Sequence, residues 1–171
     1  VRSRGLGDVY KRQFMDFKVN SSDLLKAISH IHGVVEIRHT LPILSNMIIT
    51  AQNGNLKLCS TNLDIYCSDQ VNADILSPGE ISVSASTFHE IVKRLPSGSD
   101  LHATLDEEGS SLILKCGRSK FNLTTMKTDD FPTIADSDLD TKFVLSSTEL
   151  TRMIDKTKFA ISNEETRYYL N

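Results

Sequence analysis

Apolar residues recur at helical spacing in two segments of the first hundred residues. The first stripe follows Asn20, a suitable helix N-cap, and Gly33 is suited to end that helix. The second lies in 86–95 and stops at Pro96. The two stripes comprise Leu24, Ile28, Ile31 and Val35, and Phe88, Ile91, Val92 and Leu95. The pattern predicts two amphipathic helices, each with one face in the core.

The remaining segments of this region read as β-strands. "NMIITAQ" and "NLKLCSTN" meet at Asn53-Gly54, a strong signal for a hairpin. "LDIYCSDQVNA" and "GEISVSA" follow and are separated by a turn at 77–79. After the second helix, "DLHATLDE", "SSLILKCG" and "SKFNLTTM" form a meander. The sequence therefore predicts a mostly β domain that contains two helices.

A repeat divides the chain. "FKVNSSDLLKAI" at Phe17–Ile28 recurs 126 residues later as "FVLSSTELTRMI" at Phe143–Ile154, and each copy reads as a short strand entering a helix. Ser146 and Glu149 have the spacing of a capping box, ahead of an apolar stripe of Leu150, Met153, Ile154 and Thr157. The spacing predicts one domain at 15–140 and the start of a second copy at 141–171. We expect the second copy to be truncated, and the chain to be a fragment whose reading frame continues past Asn171.

The first fourteen residues lack any such pattern. Asp8–Gln13, "DVYKRQ", is the translation of a transposon-end adapter used in sequencing libraries, and a methionine follows at Met15. We interpret 1–14 as a non-native read-through segment. The alternative is a flexible basic arm formed by Arg2, Arg4, Lys11 and Arg12.

Composition narrows the class of protein. The 171 residues are 39% hydrophobic and 24% charged, and no apolar run is long enough to span a membrane. The three cysteines form no CxxC pair, which favours a reducing cytoplasm over a disulfide framework or a zinc site. A net charge of −3 argues against a protein that coats DNA with a basic face, but allows DNA contact along a small inner surface.

Catalytic motifs are scarce. The sequence contains no GxGxxG, GxxxxGK[ST] or GxSxG motif. Asp136, Asp138 and Asp140 have the first spacings of an EF-hand loop, but its glycine and closing glutamate are absent. His30 and His32 point away from each other on a helix, and His39, His89 and His102 are expected to be ordinary surface histidines. The adjacent Asp129 and Asp130 leave open a metal-dependent nuclease or phosphoesterase.

Each predicted helix carries basic residues on its polar side. These are Lys26 on the first helix, Lys93 and Arg94 at the end of the second, and Arg152, Lys156 and Lys158 on the third. Any one of them could be a plain solvated residue or a complement to a helix C-terminus. Together they predict a positive surface on a net-acidic molecule.

Five segments resemble the bacterial DNA polymerase III beta subunit, the sliding-clamp family. They are "RHTLPILSNMII" (Arg38–Ile49), "TNLDI" (Thr61–Ile65), "GRSKFNL" (Gly117–Leu123), "DDFP" (Asp129–Pro132) and "RYYLN" (Arg167–Asn171). The resemblance implies an α+β DNA-clamp fold, with antiparallel sheets outside and two helices per domain lining a ring. It also implies three similar domains per subunit, two subunits per ring, and a non-catalytic role as the processivity factor that tethers a polymerase to duplex DNA.

The resemblance assigns site residues where the motifs match. DNA-binding residues would be Arg38, Lys26, Lys93, Arg94, Tyr168 and Tyr169. A partial partner-peptide pocket would include Arg167, Tyr169 and Leu170. The dimer interface would comprise Ile91, Leu95, Arg118, Lys120, Phe121 and Leu123. A loop arginine at 38, strand tyrosines at 168 and 169, and core roles for Ile91 and Leu95 remain alternatives. Ser86 and Thr87 stand where this family commonly has a basic pair, which weakens the case for DNA contact there.

The implied partners are sequence-independent double-stranded DNA, the DNA polymerase III catalytic subunit, an ATP-driven clamp loader and a second subunit. The resemblance implies no cofactor, metal site or membrane contact, and a nucleoid-associated place in the cytoplasm. A free-standing β-rich binding module is a further alternative.

Overall fold

A computed structural model describes residues 14–35, 41–129, 131–132 and 143–162 of the chain. The chain divides into two compact units, Val1–Ile134 and Ala135–Asn171, which we describe separately. No helix among the described residues is both long and apolar enough to cross a membrane.

The described part of the first unit is built on nine antiparallel strands. They are β1 (Asp16–Asn20), β2 (Asn46–Gln52), β3 (Asn55–Thr61), β4 (Tyr66–Asn72), β5 (Asp74–Ser77), β6 (Gly79–Ser84), β7 (Asp100–Leu105), β8 (Ser111–Cys116) and β9 (Ser119–Met126). Their order in the sheet is β4-β3-β2-β6-β9-β8-β7-β1-β5. The β2–β3 hairpin turns at Asn53 and Gly54, whose φ angles of 52° and 76° are those of a type I′ turn. The hairpin predicted from this dipeptide is confirmed.

One strand, β5, has no counterpart in the sequence-based prediction. Its four residues are too few for a periodic pattern, and they follow β4 after Ala73 alone. The strand forms because Ile75 pairs with Phe17 and Asp74 with Lys18 on β1. That pairing depends on a partner distant in the sequence, so local pattern cannot reveal it.

Among the described residues of this unit, two helices cover the sheet. Helix α1 spans Ser21–His32, and the Asn20 side chain accepts a hydrogen bond from the Ser22 amide at 3.0 Å. Helix α2 spans Ala85–Lys93. It begins one residue earlier than the pattern predicts, because the Ser84 hydroxyl caps it by accepting from the Thr87 amide at 3.4 Å.

The core lies between these helices and the sheet. Leu24, Ile28 and Ile31 of α1 and Phe88 and Val92 of α2 are almost completely buried, as their spacing predicts. They pack with the inward-facing residues of the strands in one continuous cluster. Val35, Ile91 and Leu95 are only partly buried at its margin. The buried faces fix how α1 and α2 are rotated, and hence which residues they present to solvent.

A smaller cluster brings two of the family-like motifs together. Ile43 and Leu44, in a 3-10 turn at Pro42–Ser45, pack with Ile48, Cys59 and Phe131. Phe131 is only 5% exposed. Burying a phenylalanine contributes about 1.5–3 kcal/mol, so it fixes the chain where it leaves β9. Phe131 of the "DDFP" segment therefore has a structural role.

The second unit contributes helix α3 (Ser147–Thr157) and a 3-10 turn at Lys158–Ala160. The Ser146 hydroxyl accepts from the Glu149 amide at 3.2 Å, which confirms the predicted cap. The Glu149 carboxylate meets the Ser146 hydroxyl at 3.3 Å, although a full capping box would place it on the Ser146 amide. The predicted strand before α3 is wrong, because 143–146 pairs with no strand among the described residues. Leu150, Met153 and Ile154 are 47%, 41% and 53% exposed.

Candidate functional site

The candidate site is the solvent-facing side of the α1–α2 pair. The helices are antiparallel, because the start of α1 lies beside the loop after α2 and the end of α1 beside the first half of α2. Ser21 joins the two: its hydroxyl donates to the Pro96 carbonyl at 2.9 Å and accepts from the Ser99 amide at 3.0 Å. Its own amide donates to the Ser99 carbonyl at 2.8 Å. These bonds fix the relative position of the helices.

Cations project from this surface. The Lys26 side chain is 76% exposed, and its Nζ lies 3.7 Å from the Asp23 carboxylate. The Arg94 guanidinium is 81% exposed and lies 3.3 Å from Glu90, while Lys93 is exposed on the last turn of α2. Exposed ion pairs of this kind contribute about 0–1 kcal/mol. Lys26 and Arg94 can therefore exchange a carboxylate for an external anion at little cost.

A pair of histidines lies where the two helices meet. The rings of His32 and His89 are stacked, with centroids 4.6 Å apart and planes inclined by 29°. Burial lowers the pKa of His89, and the nearby His32 and Lys93 lower it further. The sequence-based interpretation of His89 as an ordinary surface histidine missed this pair. No spacing rule connects residues 32 and 89, and only the packing of α1 on α2 brings them together.

A second candidate surface is the edge of β9. Residues 119–124 pair with β8, whereas β6 reaches β9 only at Thr125 and Met126. Among the described strands, the other side of 119–124 therefore has no ladder partner. An unpaired edge is a template for another chain's strand.

The predicted interface residues fall into three groups around this edge. Arg118 and Lys120 are exposed, and Phe121 is partly buried against the core. Leu123 is 4% exposed and belongs to the core, so it can support an interface only from beneath. Ile91 and Leu95 lie at the core margin on α2 and its following turn, and α2 packs over β6, the neighbour of β9. Both side chains pack against the core, and their interface role remains a prediction.

Several predicted site residues lie outside the described residues. They are Arg38 and Asp130, together with Arg167, Tyr168, Tyr169 and Leu170. Their assignments remain predictions.

The alternative of a metal-dependent enzyme gains no geometric support. Asp129 is exposed. Within the part of the chain that the structure describes, no three His, Cys, Asp or Glu side chains come close enough to hold a metal ion. Asp106 has a carboxylate whose pKa is lowered by hydrogen bonds from the amide of Ser111 and from Ser110. These are bonds within a β-turn loop and indicate local structure rather than catalysis.

Comparison with known proteins identifies relatives over almost the whole chain. Residues 15–135 match the family model of the DNA polymerase III beta subunit, N-terminal domain. A beta sliding clamp from Caulobacter vibrioides is 42% identical over 157 residues, which cover 92% of this chain and 42% of that protein. A beta sliding clamp from Pseudomonas aeruginosa is 37% identical over 158 residues, which again cover 92% of this chain and 42% of that protein. The chain thus spans about two fifths of the length of these relatives.

Solved structures agree with the sequence relatives. A crystal structure of the C. crescentus beta sliding clamp superposes with a TM-score of 0.88 at 42% identity, covering 94% of this chain and 43% of that one. A sliding clamp from Pseudomonas aeruginosa bound to griselimycin superposes with a TM-score of 0.85 at 36% identity, covering 92% of this chain and 42% of that one. The predicted α+β clamp fold is confirmed by these matches. The chain belongs to the DNA polymerase III beta subunit family.

Proposed function

We propose that this chain is part of a sliding clamp, a ring that encircles duplex DNA and tethers the replicative polymerase during DNA synthesis. The observation that carries the proposal is the match of 15–135 to the N-terminal domain of the family, together with relatives that are themselves named beta sliding clamps. The clamp is a non-catalytic subunit, and nucleotide addition belongs to the polymerase that it holds.

The α1–α2 surface suits a partner that must move. A sliding ring needs attraction to phosphates that is weak and independent of base sequence, because deep binding at one site would stop it. Lys26, Lys93 and Arg94 supply long, exposed cationic side chains on this surface. We assign them, with Arg38, to the DNA-facing side of the ring. Tyr168 and Tyr169 belong to the same proposed set.

The edge of β9 suits assembly. A strand from a second subunit could continue the sheet along 119–124, with Arg118 and Lys120 beside it and Phe121 partly covered. We propose a homodimeric ring for the natural gene product, closed at this edge and supported by Ile91, Leu95 and Leu123. Residence on DNA then comes from ring closure, so strong affinity is unnecessary.

The remaining partners follow from the same role. A clamp loader opens the ring with its own ATP, and the polymerase catalytic subunit binds a pocket to which Arg167, Tyr169 and Leu170 contribute. We propose no cofactor for the clamp and a place with the nucleoid in the cytoplasm.

Topology provides the test. The natural gene product, loaded by a clamp loader and ATP onto nicked circular DNA, should co-elute with the DNA in gel filtration and be lost after the circle is cut once. The control is the same circular DNA, cut once before the clamp is loaded. Ordinary DNA binding depends on phosphates and survives linearisation. Equal retention on circular and linear DNA would exclude a sliding clamp.

A further inference from the structure

The position of the histidine pair gives it access to whatever lies above the helices. On α1, His32 follows the buried Ile28 by one turn, and on α2, His89 precedes the buried Val92 by three residues. Both rings are partly exposed. This spacing places both rings at the border between the buried face of each helix and solvent. Lys93 follows His89 by one turn of α2 and acts on its charge, so the exposed part of the pair lies beside a cation of the candidate site.

The charged groups around the pair do not neutralise an added proton. His89 lies one turn from Lys93 and next to Glu90, and Glu90 already accepts from Arg94 at 3.3 Å. On α1, His30 is bound to Asp69 at 2.7 Å, and Asp23 faces Lys26.

The strands beneath the helices add no free carboxylate at this point. β2 has no titratable side chain, and Glu80 of β6 accepts from Thr50 at 2.9 Å. On β4, Asp69 is the carboxylate already engaged by His30. The loop 95–99 carries no charge.

We propose that His32 and His89 form a proton-linked phosphate contact on the DNA-facing surface, so that duplex binding is coupled to uptake of a proton by the pair. The inference rests on the proposed function, which brings a phosphate backbone to this surface. A neutral imidazole has one N–H donor, whereas an imidazolium has two donors and a positive charge. A phosphate oxygen therefore favours the protonated form. Stacking disfavours two charges at once, so the pair takes up about one proton.

The direction of the pH dependence follows from linkage. In the free chain the pKa of His89 is lowered, so the ring is neutral near pH 7. A phosphate nearby raises the pKa, and the DNA-bound chain then holds more protons than the free one. DNA affinity must rise as the pH falls through the bound-state pKa, and level off below the free-state pKa. Because the contact is to the backbone, the gain is the same for every base sequence.

The test measures binding of the 171-residue chain to a fluorescein-labelled duplex by anisotropy at low salt, at about pH 8 and about pH 6. We expect affinity to rise about threefold to tenfold at the lower pH, because one linked proton can change affinity at most tenfold per pH unit. His89→Gln and His32→Gln should each remove most of this rise. His102→Gln is the matched control, since Leu101 and Ala103 beside it face the core and His102 faces the opposite side of the sheet.

A second measurement does not depend on a variant. In an NMR titration of the wild-type chain, the imidazole pKa of His89 should increase when the duplex is added. An unchanged pKa of His89, or an equal pH dependence of DNA binding in wild type and His89→Gln, would overturn the inference. Failure of the proposed function has a different signature, which is equal retention of the natural gene product on circular and on linear DNA.

Discussion

Gly79 lies at the start of β6, and its Cα packs against the side chain of Met15. A methyl group at this glycine would stand 2.7 Å from the Met15 Cβ and 3.4 Å from its Cα. Met15 is 1% exposed, so it has no open space into which to move. The absence of one side chain at Gly79 thus allows β6 and the residue before β1 to approach.

We predict that Gly79→Ala lowers the free energy of unfolding by about 1–3 kcal/mol, the usual cost of overpacking a core. The measurement is urea unfolding followed by circular dichroism. Gly33→Ala is the matched control: a Cβ there meets nothing within 4 Å, and its φ of −64° suits alanine. Equal stability of the two variants would contradict the close contact between Gly79 and Met15.

Residue-level features differ in how far the sequence reveals them. The caps at Asn20 and Ser146 can be predicted because a cap and its helix are adjacent in the chain. The contact of Gly79 with Met15 and the stacking of His32 on His89 cannot, because each joins residues that only the tertiary fold brings together.

Between elements, Ser21 connects the first turn of α1 to the loop after α2. The side chain is 3% exposed and engages both the Pro96 carbonyl and the Ser99 amide. The cations of the candidate site lie on these two helices. The bonds of Ser21 therefore determine how Lys26 stands relative to Lys93 and Arg94.

Ser21→Ala should lower the free energy of unfolding by about 0.5–1.5 kcal/mol, the usual net contribution of an intramolecular hydrogen bond, because it removes the hydroxyl that joins α1 to the loop after α2. Ser29→Ala is the control on the same helix. Ser29 donates to the Leu25 carbonyl at 2.7 Å but is exposed, so water can replace that bond. Comparison of the two by urea unfolding tests the connection, and equal losses would show that Ser21 does not link the helices.

Helices and turns can be predicted from the sequence when a pattern within the element itself specifies them. The apolar stripes of α1 and α2 and the Asn53-Gly54 dipeptide are such local patterns. The pattern places the start of α2 one residue late, because its apolar stripe begins only at Phe88 and does not fix the first turn. The short strand β5 was missed, since its pairing with β1 determines it.

Over the whole molecule, the surfaces that would make a ring lie on separate elements of one domain. The cations lie on α1 and α2, and the unpaired strand edge lies on β9. The same core supports both, because Leu123 under the edge and Val92 under α2 belong to one cluster. One small domain can therefore carry both proposed surfaces, the DNA-facing side and the assembly edge, on a single core.

The proposed ring makes a prediction at this scale. In the natural gene product, Phe121→Asp should weaken dimerisation about thirtyfold or more, because a charge placed in an apolar interface costs about 2 kcal/mol when it removes a principal contact. Sedimentation velocity over a dilution series measures the change, and circular dichroism checks that the domain remains folded. Asn122→Asp is the matched control: it adds the same charge at the next residue of β9, which is exposed on the opposite face. If both variants dimerise like the wild type, 119–124 is not the closing edge. If both dissociate alike, general charge repulsion rather than the Phe121 contact controls assembly.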